Sequence, residues 1–207
     1  MEQTVQSLIK AVDEADSSEK LINAVRALAQ VRDEAAIATL MTVLRYNNPG
    51  AAVAAVNGLI NLGEVAVPYL LENIDGYNYG ARAWATCAFA GIGDPRALDV
   101  LLDATANDFA FSVRRAAAKG LGNLNWDKLS ESEAFPKQQQ VLSALSSAAQ
   151  ETEWVVRYAA IAGLQAFATK LATFRSDVIK QLTELSQSET EFIVKSRIAW
   201  ALQNLPV

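Results

Sequence analysis

The chain has 207 residues, 51% of them hydrophobic, which is enough to bury a continuous core and excludes extended disorder. Eighteen Lys and Arg against 23 Asp and Glu leave a net charge of −5, which argues against a nucleic-acid backbone as main partner, because phosphate binding needs a clustered excess of cations. With no histidine and a single cysteine, Cys87, the sequence excludes disulfide frameworks, thiolate zinc sites and imidazole catalysis, and no metal site is expected.

The opening run MEQTVQSLIK has an early acid and no apolar h-region. No later window offers about 18 uninterrupted apolar residues, so the reading is of a cytoplasmic protein, neither secreted nor inserted in a membrane. From Lys20 onward one pattern recurs. The segments KLINAVRAL (Lys20 to Leu28), AAVAAVNGL (Ala51 to Leu59), ARAWATCAF (Ala81 to Phe89), VRRAAAKGL (Val113 to Leu121), VRYAAIAGL (Val156 to Leu164) and VKSRIAWAL (Val194 to Leu202) align without gaps. They recur at about 30 residues and later at about 40, the period of stacked helical hairpins. Partner helices are predicted between them, over Asp33 to Leu44, Val65 to Ile74, Pro95 to Thr105, Gln138 to Ala149 and Asp177 to Leu185, where apolar residues fall three and four apart.

Turn residues agree with this division. Asn47-Asn48-Pro49-Gly50, the Gly76 region and Gly93-Asp94-Pro95 lie between periodic segments, and Asp94 is placed to cap a helix beginning at Pro95. The aperiodic stretch Asn125 to Lys137 is predicted as a surface insertion rather than a domain boundary. The predicted fold is therefore all-α, an α-α superhelix (solenoid) of about five to six HEAT-like repeats forming a single domain over residues 1–207. The short tail ending LPV leaves the last pair thinly covered, so a partner at one end is expected.

On a helical wheel, aligned positions one, four, five, eight and nine share a face that reads as the buried seam. Its eighth column, Gly58, Ala88, Gly120, Gly163 and Ala201, is uniformly small and lets helices approach closely. Positions three, six and seven form the opposite face and carry Asn57, Cys87, Arg115, Lys119, Tyr158, Ser196 and Trp200, a basic and aromatic wall expected on the concave side. The second column, Arg82, Arg114, Arg157 and Lys195, admits two readings. It can bind carboxylates of a ligand, or it can form an internal ladder with the loop acids Asp108, Glu153 and Glu191. Cys87, without an activating neighbour, reads as a small buried hydrophobe. Tyr77 and Tyr79, in GYNYGAR, either cover a helix end or donate to a ligand. No glycine-rich phosphate loop and no catalytic carboxylate pair is recognisable.

The runs GARAWATCAFAGIGDPRALDVLLDA, FSVRRAAAKGLGNL and EWVVRYAAIAGLQ resemble the phycobilisome-lyase type of HEAT-like repeat, and the Tyr77 to Trp84 stretch carries the likeness furthest. Length and layout resemble the smaller, F-type subunits of heterodimeric phycocyanin alpha-subunit phycocyanobilin lyases. The resemblance implies a cyanobacterial lyase subunit that works with an E-type partner. Together they would attach phycocyanobilin, an open-chain tetrapyrrole taken as substrate rather than cofactor, to a cysteine of the phycocyanin alpha subunit. The nucleophile would then belong to the acceptor protein. Propionates ask for cations and pyrrole rings for aromatic surface, which assigns Arg82, Arg114, Arg115, Lys119 and Arg157 to carboxylates and Tyr77, Tyr79, Trp84 and Trp200 to the chromophore. Asp108 and Tyr158 are the groups expected to move a proton. Family members that also isomerise the bilin carry adjacent His and Cys, and the absence of histidine here speaks against that activity. Rival readings are a non-catalytic phycobiliprotein-binding scaffold or phycobilisome-degradation adaptor and, more distantly, a nucleic-acid scaffold.

Overall fold

The computed structural model describes residues 4–205, so Pro206 and Val207 of the tail lie outside the described residues. These residues form α-helices and short 3-10 turns, with no strand among them. The chain divides into two compact units, Met1–Ala97 and Leu98–Val207.

The first unit holds three hairpins: α1 (Val5–Asp13) with α2 (Ser18–Gln30), α3 (Ile37–Val43) with α4 (Pro49–Leu62), and α5 (Ala66–Glu72) with α6 (Tyr79–Ile92). The second helices pack on one another in order, α2 on α4 and α4 on α6. Their N-termini are closed by side chains, as Asn48 and Asn78 each accept an N–H at 3.0 Å, from Ala51 and Ala81. Helix α1 is not among the partner helices predicted from the sequence.

The stretch Pro49–Glu72 has enough apolar length, by composition, for a membrane span. It does not form one helix. Gly63, at φ 71°, breaks it into α4 and α5 with a 3-10 turn, Gly63–Val65, between them. The 14-residue α4 reaches about 21 Å at 1.5 Å per residue, short of the roughly 30 Å hydrocarbon layer, and its buried face is Ala51, Ala52, Ala55 and Leu59.

The second unit holds α7 (Leu98–Asn107) with α8 (Phe111–Leu121), α9 (Glu131–Ala148) with α10 (Trp154–Lys170), and α11 (Arg175–Ser188) with α12 (Phe192–Asn204). Helices α8, α10 and α12 stack in sequence. The seam positions Val113, Ala117 and Leu121 are fully buried, as are Val156, Ala160 and Leu164. Gly163 sets the separation: a Cβ there would stand 2.5 Å from the carbonyl oxygen of Ala118 and 2.9 Å from Leu145.

Asn125 to Lys137 differs from the expected insertion. Trp126 is buried in a 3-10 turn, Trp126–Lys128, and Glu131 onward is already α9, with Pro136 inside the helix. The polar face of α9 masks its periodicity, while Ala134, Gln138, Val141 and Leu145 form its buried stripe.

Candidate functional site

The second-column arginines are tied into the protein. Arg114 donates from Nη1 to the backbone carbonyls of Asp108 (2.8 Å) and Phe109 (3.1 Å) in its own loop, and its Nη2 lies 3.0 Å from the Glu151 carboxylate. Arg157 repeats the arrangement one hairpin later. Its Nη1 binds the carbonyls of Glu151 and Thr152 at 2.8 Å each, and its Nε and Nη2 hold Glu189 bidentately at 2.8 and 2.9 Å. Arg82 likewise donates to the carbonyls of Asp75 and Gly76. Arg114 and Arg157 thus reach Glu151 and Glu189 of the following hairpin, rather than pairing with Asp108 and Glu153, the acids of their own incoming loops. The arginine's own loop offers carbonyls, which take Nη1, and only the far edge of the guanidinium is left to reach the next loop. Arg157 holds the Glu189 carboxyl down at about 2, against an ordinary 4.5.

Asp108 accepts the Ala110 N–H at 2.9 Å, so its carboxylate orders the loop entering α8. Arg115 and Lys119 stand exposed on α8, with no hydrogen-bonding partner among the described residues. Cys87 is half-buried on α6.

Two hollows gather the remaining candidates. In the first unit, Tyr79 and Trp84 share a depression of about 260 Å³ with Arg45, Tyr46 and Asn78. Arg45, which sequence reasoning did not single out, pairs with Asp75 at 3.2 Å. Asp75 also accepts the N–H groups of Asn78 and Tyr77, and these bonds lower its pKa. Tyr77 is 99% exposed and lines neither hollow.

In the second unit, Tyr158 on α10 and Phe192, Ile193, Ser196, Arg197 and Trp200 on α12 line an open groove of about 470 Å³. Its walls are aromatic and its floor is cationic. The Arg197 guanidinium carbon sits 4.7 Å from the centre of the Trp200 ring and 5.8 Å from that of Tyr158. Nη2 donates to Gln165 Oε1 at 2.7 Å, while Nη1 is buried without a hydrogen-bond partner. Burial pulls the Arg197 pKa below its ordinary value. Sequence reasoning placed position four in the buried seam and passed over Arg197. The signal was there, since that column holds Asn23, Ala54, Trp84, Ala116 and Ala159 in the other repeats and a charge only in the last.

Helical hairpins stacked through their second helices, with a small-residue seam and an arginine ladder between loops, define a HEAT-repeat protein, and the HEAT repeats family pattern matches residues 5–90 and 113–203. The PBS lyase HEAT-like repeat matches residues 81–107, from the start of the seam of α6 to the end of α7. Within that class, the chain belongs to the family of phycocyanobilin lyase beta subunits. It is 54% identical over 201 residues (97% of this chain and 94% of the relative) to the phycocyanin alpha phycocyanobilin lyase CpcF of Synechocystis sp.. It is 51% identical to the phycocyanobilin lyase subunit beta of Nostoc sp., covering 94% of this chain and 96% of that one. Among solved structures it resembles the complex of CpcE and CpcF of phycocyanin lyase from Nostoc sp. PCC7120, with a TM-score of 0.78 and 51% identity over 82% of this chain and 99% of that chain. Designed armadillo repeat proteins, at 17% identity and a TM-score of 0.56, share the fold alone.

Proposed function

We propose that this chain is the smaller subunit of a heterodimeric bilin lyase that joins phycocyanobilin to a cysteine of the phycocyanin alpha subunit, with an E-type subunit as its partner. The observation that carries the reading is the 54% identity to a phycocyanin alpha phycocyanobilin lyase along nearly the whole of both chains. The groove between Tyr158 and Trp200 supports it, because flat aromatic faces around a cation suit a conjugated tetrapyrrole that bears carboxylates.

The reaction is an addition. The acceptor's sulfur forms a bond to the bilin's exocyclic ethylidene group, the carbon–carbon double bond becomes single, and the thiol proton ends on the neighbouring carbon. Electrons balance without an oxidant, a reductant or a resident cofactor. What the protein supplies is orientation of an otherwise flexible chain and a proton at the right carbon. Tyr158 is the expected proton-moving residue that lies on the groove, whereas the Asp108 carboxylate is committed to its loop. Arg115 and Lys119, on the helix packed beside α10, offer further cations to the substrate or the acceptor. Arg114 and Arg157 act as ties between hairpins. We place the reaction in the cytoplasm, where an acceptor thiol stays reduced, and treat residues 1–207 as one functional domain.

Reconstitution of this chain with an E-type subunit, phycocyanobilin and apo-phycocyanin alpha subunit tests the proposal. The readout is zinc fluorescence and absorbance after denaturation, which separates covalent attachment from binding. An adduct that forms only with both subunits is the expected result. Bound pigment or phycobiliprotein without an adduct would establish the scaffold reading instead.

A further inference from the structure

We propose that Arg197 is the carboxylate anchor of the Tyr158–Trp200 groove, receiving one propionate-type carboxylate of the flat conjugated substrate while the two rings pack on its pyrroles. The inference rests on the bilin reading above and adds the residue and the chemical group through which the groove recognises its ligand.

Arg197 differs from the ladder arginines in one physical respect. Arg114 and Arg157 each meet a carboxylate, Glu151 at 3.0 Å and Glu189 at 2.8 Å, together with two loop carbonyls. Arg197 is half-buried with its Nη1 shielded from water, touches no acid among the described residues, and has one amide oxygen, Gln165 Oε1, for its five N–H groups. A desolvated charge without a counter-ion is costly, and cation–π contact with two rings offsets only part of that cost. The missing interaction is that of an anion with planar, two-oxygen geometry, which the guanidinium fork recognises bidentately. Arg197 is also held in register. Gln165, buried on α10, fixes Nη2, and Tyr158 comes from the same helix about two turns before it. Trp200 is 53% exposed, so its ring is the part of the groove free to swing from above the guanidinium as a carboxylate arrives.

The test uses the full chain in complex with an E-type subunit and compares phycocyanobilin as its free diacid with its dimethyl ester, by absorbance titration and by the change in Trp200 emission. A Trp200→Phe protein supplies the baseline. A charge-assisted bond to a carboxylate predicts that the diacid binds the wild-type complex tenfold or roughly a hundredfold more tightly than the ester. In Arg197→Gln the two forms should come within about twofold of each other, and Arg197→Lys should restore part of the preference. Circular dichroism checks that the variants fold; if Arg197→Gln does not, the wild-type diacid-to-ester ratio and Arg197→Lys decide. Equal binding of both forms by wild type, or a preference that survives Arg197→Gln, would overturn the anchor while leaving the bilin groove intact. Absence of bilin binding by the wild-type complex would overturn both.

Discussion

Replacing Glu189 by Gln measures what the inter-hairpin ladder contributes. The side chain is 7% exposed, accepts two N–H bonds from Arg157, and also receives the backbone N–H groups of Thr190 and Glu191. Its pKa is lowered from 4.5 to about 2, chiefly by the Arg157 hydrogen bonds and against the opposing pull of burial. A depressed carboxyl pKa stabilises the folded state fully above the unfolded value, and that stability is lost as pH falls from 4.5 through about 2. At about 1.4 kcal/mol per unit the linkage amounts to roughly 3 kcal/mol, and screening at a loop surface brings the expected contribution to about 1–3 kcal/mol. For a chain of this length that is a fall in Tm of several degrees, at roughly 2–4 °C per kcal/mol. Thermal and urea unfolding of wild type and Glu189→Gln should therefore differ by this amount at pH 7, and the gap should narrow steadily below pH 4.5. A variant as stable as wild type at pH 7, or a gap that ignores pH, would refute the ladder as a source of stability.

Gly163→Ala should lower stability by about 1–2 kcal/mol by urea unfolding. The new methyl would press on the Ala118 carbonyl at 2.5 Å, a clash of about 1–3 kcal/mol against less than about 1 kcal/mol gained in helix propensity. Lys170→Met should cost about 1–3 kcal/mol in the same assay, because Lys170 Nζ donates to the carbonyls of Asn123 at 2.6 Å and Leu124 at 3.2 Å, which would lose a charged donor. Cys87→Ala should leave adduct yield in the reconstituted reaction unchanged, since the reacting thiol is the acceptor's. Trp200→Leu should reduce adduct formation tenfold or more while circular dichroism stays native, as the ring carries about 1–3 kcal/mol of stacking on a flat ligand.

The second helices were legible because the seam between them obeys a strict steric rule. Val113, Ala117 and Leu121 recur as Val156, Ala160 and Leu164, and a strand or loop could not keep that spacing with small residues at the eighth position. The first half of α9 was not legible, because its buried positions are Ala134 and the polar Gln138 and it contains Pro136. The arginine column was visible as a column, but its partners lie in the next hairpin, 32 residues on for Arg157 and Glu189, and a reading confined to one repeat sees the nearer acids first. Of the candidate residues, Tyr158 and Trp200 meet in one groove, while Tyr79 and Trp84 meet in a separate hollow of the first unit.

Seam positions differ in how strictly they must be small, and Arg197 stands at a tolerant one. Position eight must be small where neighbouring second helices meet, as Gly163 on α10 does against Ala118 of α8. Position four is less constrained, holding Asn23 on α2 and Trp84 on α6 as well as Ala54, Ala116 and Ala159, so it can also carry the long charged side chain of Arg197 on α12. On α12 aromatic rings surround a cation that meets no carboxylate among the described residues. Arg115, Tyr158 and Ser196 share position three along α8, α10 and α12, so the register that builds the stack also leads from the cations of α8 to the groove of α12. Substitutions at position three should therefore alter ligand affinity with little change in Tm, and substitutions in the seam should do the reverse.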